Sequence, residues 1–179
     1  MEKLKILHLC ADIGSDSRYY QIDDSYIVIK VGIDVGVVRL ATLSDGTVFE
    51  NPRALRSAER RIRRAQRVVS RRQRGSSRRM KARAALARAH ARAANVRRDA
   101  LHKATTAIAK RYGLACIEDL NIVGMTHRGG SAKAGLNRSL LDAGLAEFRR
   151  MLEYKGKLYG CEIVAVPAPY TSQRCSRCD

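Results

Sequence analysis

Residues 30–36, KVGIDVG, set one carboxylate, Asp34, in an apolar strand flanked by glycine. Val31, Ile33, Val35 and Val37 alternate with Gly32, Asp34 and Gly36, so the period of two puts Asp34 on the face opposite the aliphatic side chains. A hairpin follows at once. Val38 to Leu43, the Asp45-Gly46 dipeptide and Thr47 to Phe49 read as strand, two-residue turn and partner strand. An Asp in such a setting fits a turn or strand-edge residue as well as a metal ligand, and the choice depends on what lies eighty residues downstream.

There, Leu114-Ala115-Cys116-Ile117 forms a second apolar strand that ends in Glu118 and Asp119. A strand, a hairpin, a long helical excursion and then a strand ending in Glu is the order of an RNase H-like domain, in which the first and fourth strands lie side by side and parallel. The expected fold class is therefore α/β, with an RNase H-like mixed sheet. Its two carboxylates would repel unless a divalent cation sat between them, and a hard cation such as Mg²⁺ suits oxygen ligands and phosphodiester cleavage. On spacing alone, Glu118 and Asp119 fit a cap for the next element equally well.

The excursion carries the charge. The 179 residues have a formal net charge of +18 and a pI near 10.4. Between Arg53 and Arg111 there are 21 Arg and Lys against Glu59 and Asp99 alone, whereas the rest of the chain holds 14 basic and 15 acidic residues. The segment reads as two long helices broken at Gly75-Ser76-Ser77. Leu55, Ala58, Ile62, Ala65 and Val69 form the apolar seam of the first, and Met80, Ala84, Ala87, Ala91, Ala94, Leu101, Thr105 and Ile108 that of the second. Small seam residues and a short break predict an antiparallel helical hairpin. Uncompensated like charges at helical spacing repel, so a polyanion is the expected partner. Arg60, Arg61, Arg63, Arg64, Arg67, Arg71, Arg72, Arg78, Arg79, Arg97 and Arg98 are the candidate phosphate contacts. A membrane surface fits less well, and a hairpin serving as a protein-interaction coiled coil would suffer from its unbalanced charge.

The remainder is read more briefly. No apolar run reaches membrane-spanning length and no signal-peptide pattern opens the chain, so a soluble, cytoplasmic protein is expected. Residues 1–29 read as an atypical strand, Gly/Ser/Asp loop and strand. Met125 to Asn137 reads as a mobile loop rich in Gly, Ser and basic residues. Leu141, Leu145, Phe148, Leu152 and Tyr159 form an apolar helical stripe, with Arg149, Arg150, Lys155 and Lys157 off it, and Cys161 to Val166 reads as a fifth strand. Of five cysteines only Cys175 and Cys178 have metal-ligand spacing. One such pair supplies two of the four ligands a structural zinc needs.

GIDVG at 32–36, IEDLN at 117–121, SLLDAGLAEFRRMLEYK at 139–155 and YTSQRCSRC at 170–178 together resemble one family. It is the TnpB (OrfB) family of insertion-sequence proteins, relatives of the type V CRISPR nucleases. The resemblance covers residues 31–179. It implies an RNA-guided DNA endonuclease with DNA and guide RNA as partners, Mg²⁺ or Mn²⁺ as cofactor, and a RuvC-type nuclease domain split into 31–52 and 112–168 around a helical insertion at 53–111. It also implies the start of a zinc ribbon at 169–179, with Cys175 and Cys178 as an incomplete Zn²⁺ pair. Asp34 and Glu118 match the family's first two catalytic, metal-holding carboxylates. The third, which in the family lies beyond a second cysteine pair, has no counterpart; Asp142 and Asp179 stand at no matching position, and Asn121 takes no catalytic role. A truncated copy is thus expected, binding nucleic acid with impaired cleavage or none, and a non-catalytic RNA- or DNA-binding protein is the other reading.

Overall fold

The computed structural model describes residues 30–127 and 130–167, a mixed α/β arrangement built on one five-stranded sheet. The strands are β1 (Lys30–Val35), β2 (Arg39–Leu43), β3 (Val48–Glu50), β4 (Leu114–Asp119) and β5 (Glu162–Pro167). Their order across the sheet is β3-β2-β1-β4-β5. The hairpin strands β1, β2 and β3 are antiparallel, and β1, β4 and β5 are parallel. Parallel neighbours need long crossovers, and both are helical here.

The helices are α1 (Ala54–Ser70), α2 (Ser77–Arg111), a single turn α3 (Ile122–Met125), α4 (Ser131–Ala143) and α5 (Leu145–Tyr159). At about 1.5 Å per residue, α2 is roughly 52 Å long. Its C-terminal third lies on the sheet, where Leu101, Ala104, Ile108 and Ala109 join Val31, Ile33, Ala115 and Ile117 in the main core. Leu145, Phe148, Met151 and Leu152 of α5 complete it. The rest of α2 extends away with α1 packed along it. Ser76 accepts the Arg79 amide as the N-cap of α2, so the hairpin turn is residues 71–76 and Ser77 is already helical.

The sequence reading needs several corrections. In α1 the expected seam holds, with Ile62 buried and Leu55, Ala58, Ala65 and Val69 partly so. In the first half of α2 the phase is wrong: Ala84, Ala87 and Ala91 are exposed, Met80 is 60% exposed, and Ala89 and Ala93 are buried with Ala82 and Leu86 half-buried. Alanine occurs on every face of this segment, so its pattern does not mark one side. Residues 131–143, expected within or beside a mobile loop, are helical from Ser131. The helix expected to run through Leu141 and Leu145 is two helices, because Gly144 takes a left-handed conformation (φ 69°) between them. That break turns Leu141 outward, 61% exposed, and brings Leu140 into the core.

Lys155, expected off the stripe, is buried. Its ammonium donates to the His102 carbonyl (2.8 Å) and to the hydroxyls of Thr105 (2.8 Å) and Thr106 (2.7 Å), tying α5 to α2. Desolvation lowers its pKa.

Candidate nucleic-acid interface and carboxylate pair

β1 and β4 run parallel with Ile33 opposite Ile117, so one residue further along each strand Asp34 stands beside Glu118. Strand backbones lie about 4.8 Å apart, and residues in register share a face. Ile33 and Ile117 point into the helix-covered core; Asp34 and Glu118 point to the other face, with Asp34 exposed and Glu118 half-buried. Across the sheet they are flanked by Thr42 on β2 and Val166 on β5. Hard oxygen donors side by side at the exposed end of two parallel strands suit a small divalent cation. Among the described residues no group of three or more His, Cys, Asp or Glu is placed to hold a metal.

The alternative role for this stretch, a cap, falls to a different residue. Asn121 is the N-cap of α3, its side-chain oxygen accepting the Gly124 amide at 2.9 Å. Asp119 faces the helix side of the sheet, where Arg149 of α5 pairs with it and with Glu153 (2.9 Å). Asp119 first, and Glu153 second, raise the pKa of Arg149. Glu118 is thus separated from its neighbour by the pleat.

The hairpin presents a dense row of cations. Arg60, Arg64, Arg67 and Arg71 recur at spacings of four, three and four along α1 and its C-cap, and all four are exposed. Arg61, Arg63, Arg72 and Arg78 are exposed beside them, and Arg79 is half-buried. Glu59 pairs with Arg63 (2.7 Å) and reaches Arg138 (3.6 Å). Arg97 and Arg98 stand apart from the row. Arg97 is turned toward Asp142 (3.8 Å), and Arg98 Nε lies 3.3 Å from Glu147, so both join the root of the hairpin to α4 and α5.

Asp142 lies within the 139–155 motif but was assigned no role from sequence, and the structure gives it a structural task. Its carboxylate accepts the backbone amides of Leu55 (2.9 Å) and Arg56 (3.4 Å), capping α1 from α4. The local N-cap residue, Arg53, is left-handed (φ 44°) and supplies no side-chain acceptor. An uncapped helix start in sequence was the available signal, but nothing local pointed to a partner 87 residues away. Cys175 and Cys178 lie outside the described residues, as does the atypical segment 1–29.

The chain belongs to the OrfB_IS605 family, described as "Probable transposase", whose model matches residues 23–129. Residues 146–179 match a second model, "Cas12f1-like, TNB domain". Among curated relatives, it is 44% identical over 158 residues to "Putative RNA-guided DNA endonuclease InsQ" of Escherichia coli (strain K12), an alignment that covers 83% of this chain and 39% of that protein. It is 42% identical over 156 residues to "Putative RNA-guided DNA endonuclease Rv2885c" of Mycobacterium tuberculosis, covering 83% of this chain and 34% of the relative. The chain therefore spans less than two fifths of the length of these relatives.

Proposed function

We propose that this chain is the RuvC-type, RNase H-like part of a TnpB-like RNA-guided DNA endonuclease, and that on its own it binds nucleic acid with impaired or no phosphodiester cleavage. The observation that carries the binding is the Arg60–Arg64–Arg67–Arg71 row, exposed on a hairpin with a large uncompensated positive charge. Such a row grips phosphates without reading sequence, and DNA and a guide RNA are the partners that the relatives' names suggest.

Asp34 and Glu118 are the residues that would hold Mg²⁺ or Mn²⁺. The fit rests on their in-register placement at the exposed strand ends. A divalent cation there supplies Lewis-acid stabilisation of charge on a phosphate. The protein's own share is to fix the two carboxylates on rigid neighbouring strands and to hold the nucleic-acid backbone nearby through the arginines. Cleavage in the wider family is implied to need a third carboxylate beside these two. Cys175 and Cys178 are proposed as two ligands of a structural Zn²⁺, and the cytoplasm as the location; no helix of the described residues is long and apolar enough to cross a membrane.

Binding of labelled single- and double-stranded DNA and of RNA across a salt series tests this reading. Replacing Arg60, Arg64, Arg67 and Arg71 together by Gln is expected to flatten the slope of log K against log salt by about 0.9 for each duplex phosphate that is no longer neutralised. An unchanged slope in a folded variant would place the binding elsewhere.

A further inference from the structure

A cavity of about 620 Å³ opens at the root of the hairpin, between the turn that follows β1, the first turns of α1, and α4. Its size is that of small-molecule sites. Val37, Val38, Leu55 and Ile62 give it an apolar lining. Arg53, Arg56, Arg63 and Arg138 line it as well, with Gln66.

The two acids that border it are already engaged. Asp142 accepts the Leu55 and Arg56 amides, and Glu59 pairs with Arg63 and lies near Arg138. Arg53 and Arg56 make no ion pair with the described residues, so the cavity is left with positive charge to satisfy. A ligand that fits must combine a flat, weakly polar face, a hydrogen-bonding edge and an anionic group. A nucleotide is such a molecule: its base can lie against the valines and a guanidinium plane, its edge can meet Gln66, and its phosphate can pair with Arg53 or Arg56.

The position favours a nucleotide still joined to its strand. Val37 is three residues beyond Asp34, which the chain's reach limits to about 11 Å. Arg56 lies one helical turn before Arg60, where the exposed row begins. The cavity thus adjoins in sequence both the start of that row and the strand that carries Asp34.

We propose that the cavity captures one unpaired nucleotide of the bound nucleic acid. The inference rests on the reading that the hairpin binds nucleic acid, and the test separates the two. Duplexes with and without a single unpaired 2-aminopurine are titrated with the full chain, alongside free 2-aminopurine nucleoside monophosphate. Two variants at exposed positions obstruct the cavity: Ser139→Trp by volume and Val38→Glu by charge, each checked for an unchanged thermal midpoint.

The expected result is that the intact chain prefers the duplex with the unpaired base by about fivefold or more, with a change in 2-aminopurine fluorescence. Both variants lose the preference and the fluorescence change yet bind fully paired duplex as before. Equal binding of the two duplexes by the intact chain, without a fluorescence change, would overturn the cavity assignment and leave the hairpin reading standing. Saturable binding of the free nucleotide that a strand does not displace would overturn the claim of a strand-borne ligand. Absence of binding to every nucleic acid would overturn both readings.

Discussion

Asp142 on α4 accepts the Leu55 amide of α1 at 2.9 Å, a cap that crosses 87 residues of sequence. Arg97 of α2 lies 3.8 Å from the same carboxylate, so one buried side chain holds three helices at the root of the hairpin. Loss of a helix cap costs about 1 kcal/mol, up to about 2. Asp142→Ala also leaves the half-buried Arg97 without this partner, and the total loss is expected at about 2–3 kcal/mol by denaturant unfolding. Asp142→Asn keeps an acceptor for Leu55 and is expected to lose less. A neutral Asp142→Ala would contradict the capping role.

Gly156 lies in the last turn of α5, packed against Cys161 and Ile163 at the start of β5. A Cβ there would stand 2.5 Å from the Cys161 carbonyl oxygen and 2.6 Å from Ile163 Cγ1. The carbonyl is backbone and cannot swing aside. Alanine normally gains about 1 kcal/mol over glycine inside a helix, but here overpacking of about 1–3 kcal/mol is expected to outweigh it. Gly156→Ala should therefore lower the thermal midpoint, and a raised midpoint would show that α5 and β5 are less closely packed.

Tyr112 closes the C-terminal end of α2 on the β2–β3 turn, donating its hydroxyl to Asp45 at 2.5 Å. The Tyr112 hydroxyl, then the Thr47 amide at 2.8 Å, lower the pKa of Asp45 below the ordinary 3.8. The unfolded chain thus binds this proton first as the medium is acidified. The stabilisation is present above pH 3.8 and is lost as pH falls through the lower folded value. Burial, then the bond to Asp45, raise the pKa of Tyr112 above 10.0, so its contribution is present below pH 10.0 and is lost as pH rises through the raised value. Tyr112→Phe is expected to weaken both limbs of the stability–pH profile. A profile with identical limbs would contradict the coupling.

How much of this was legible in sequence varied with the range of the interaction. Period-two patterns located the strands, and the order of the elements implied that Asp34 and Glu118 stand side by side on parallel neighbours, as the register has them. In α1, Ile62 and Val69 marked the seam, whereas in α2 alanines on all faces led to the wrong phase, and the buried side is that of Ala89 and Ala93. Leu141 was misassigned because the left-handed turn at Gly144 resets the helical phase between two stretches that read as one. Lys155 and Asp142 were unreadable for the same reason: a buried charge is explained by its partners, and theirs are 45 or more residues away. The cavity at the hairpin root likewise needs three separate segments brought together.

The central claim is that Asp34 and Glu118 act as one oxygen-donor pair, and a Mn²⁺ titration of the intact chain against Asp34→Ala and Glu118→Ala tests that most directly. Calorimetry or the Mn²⁺ spin-resonance signal reads the bound cation, and binding of labelled DNA across a salt series is followed in the same three proteins. The predicted result is saturable Mn²⁺ binding in the intact chain, lost or weakened at least about tenfold in both variants, with no loss of salt-dependent DNA binding. Mn²⁺ binding that survives unchanged in both would contradict it.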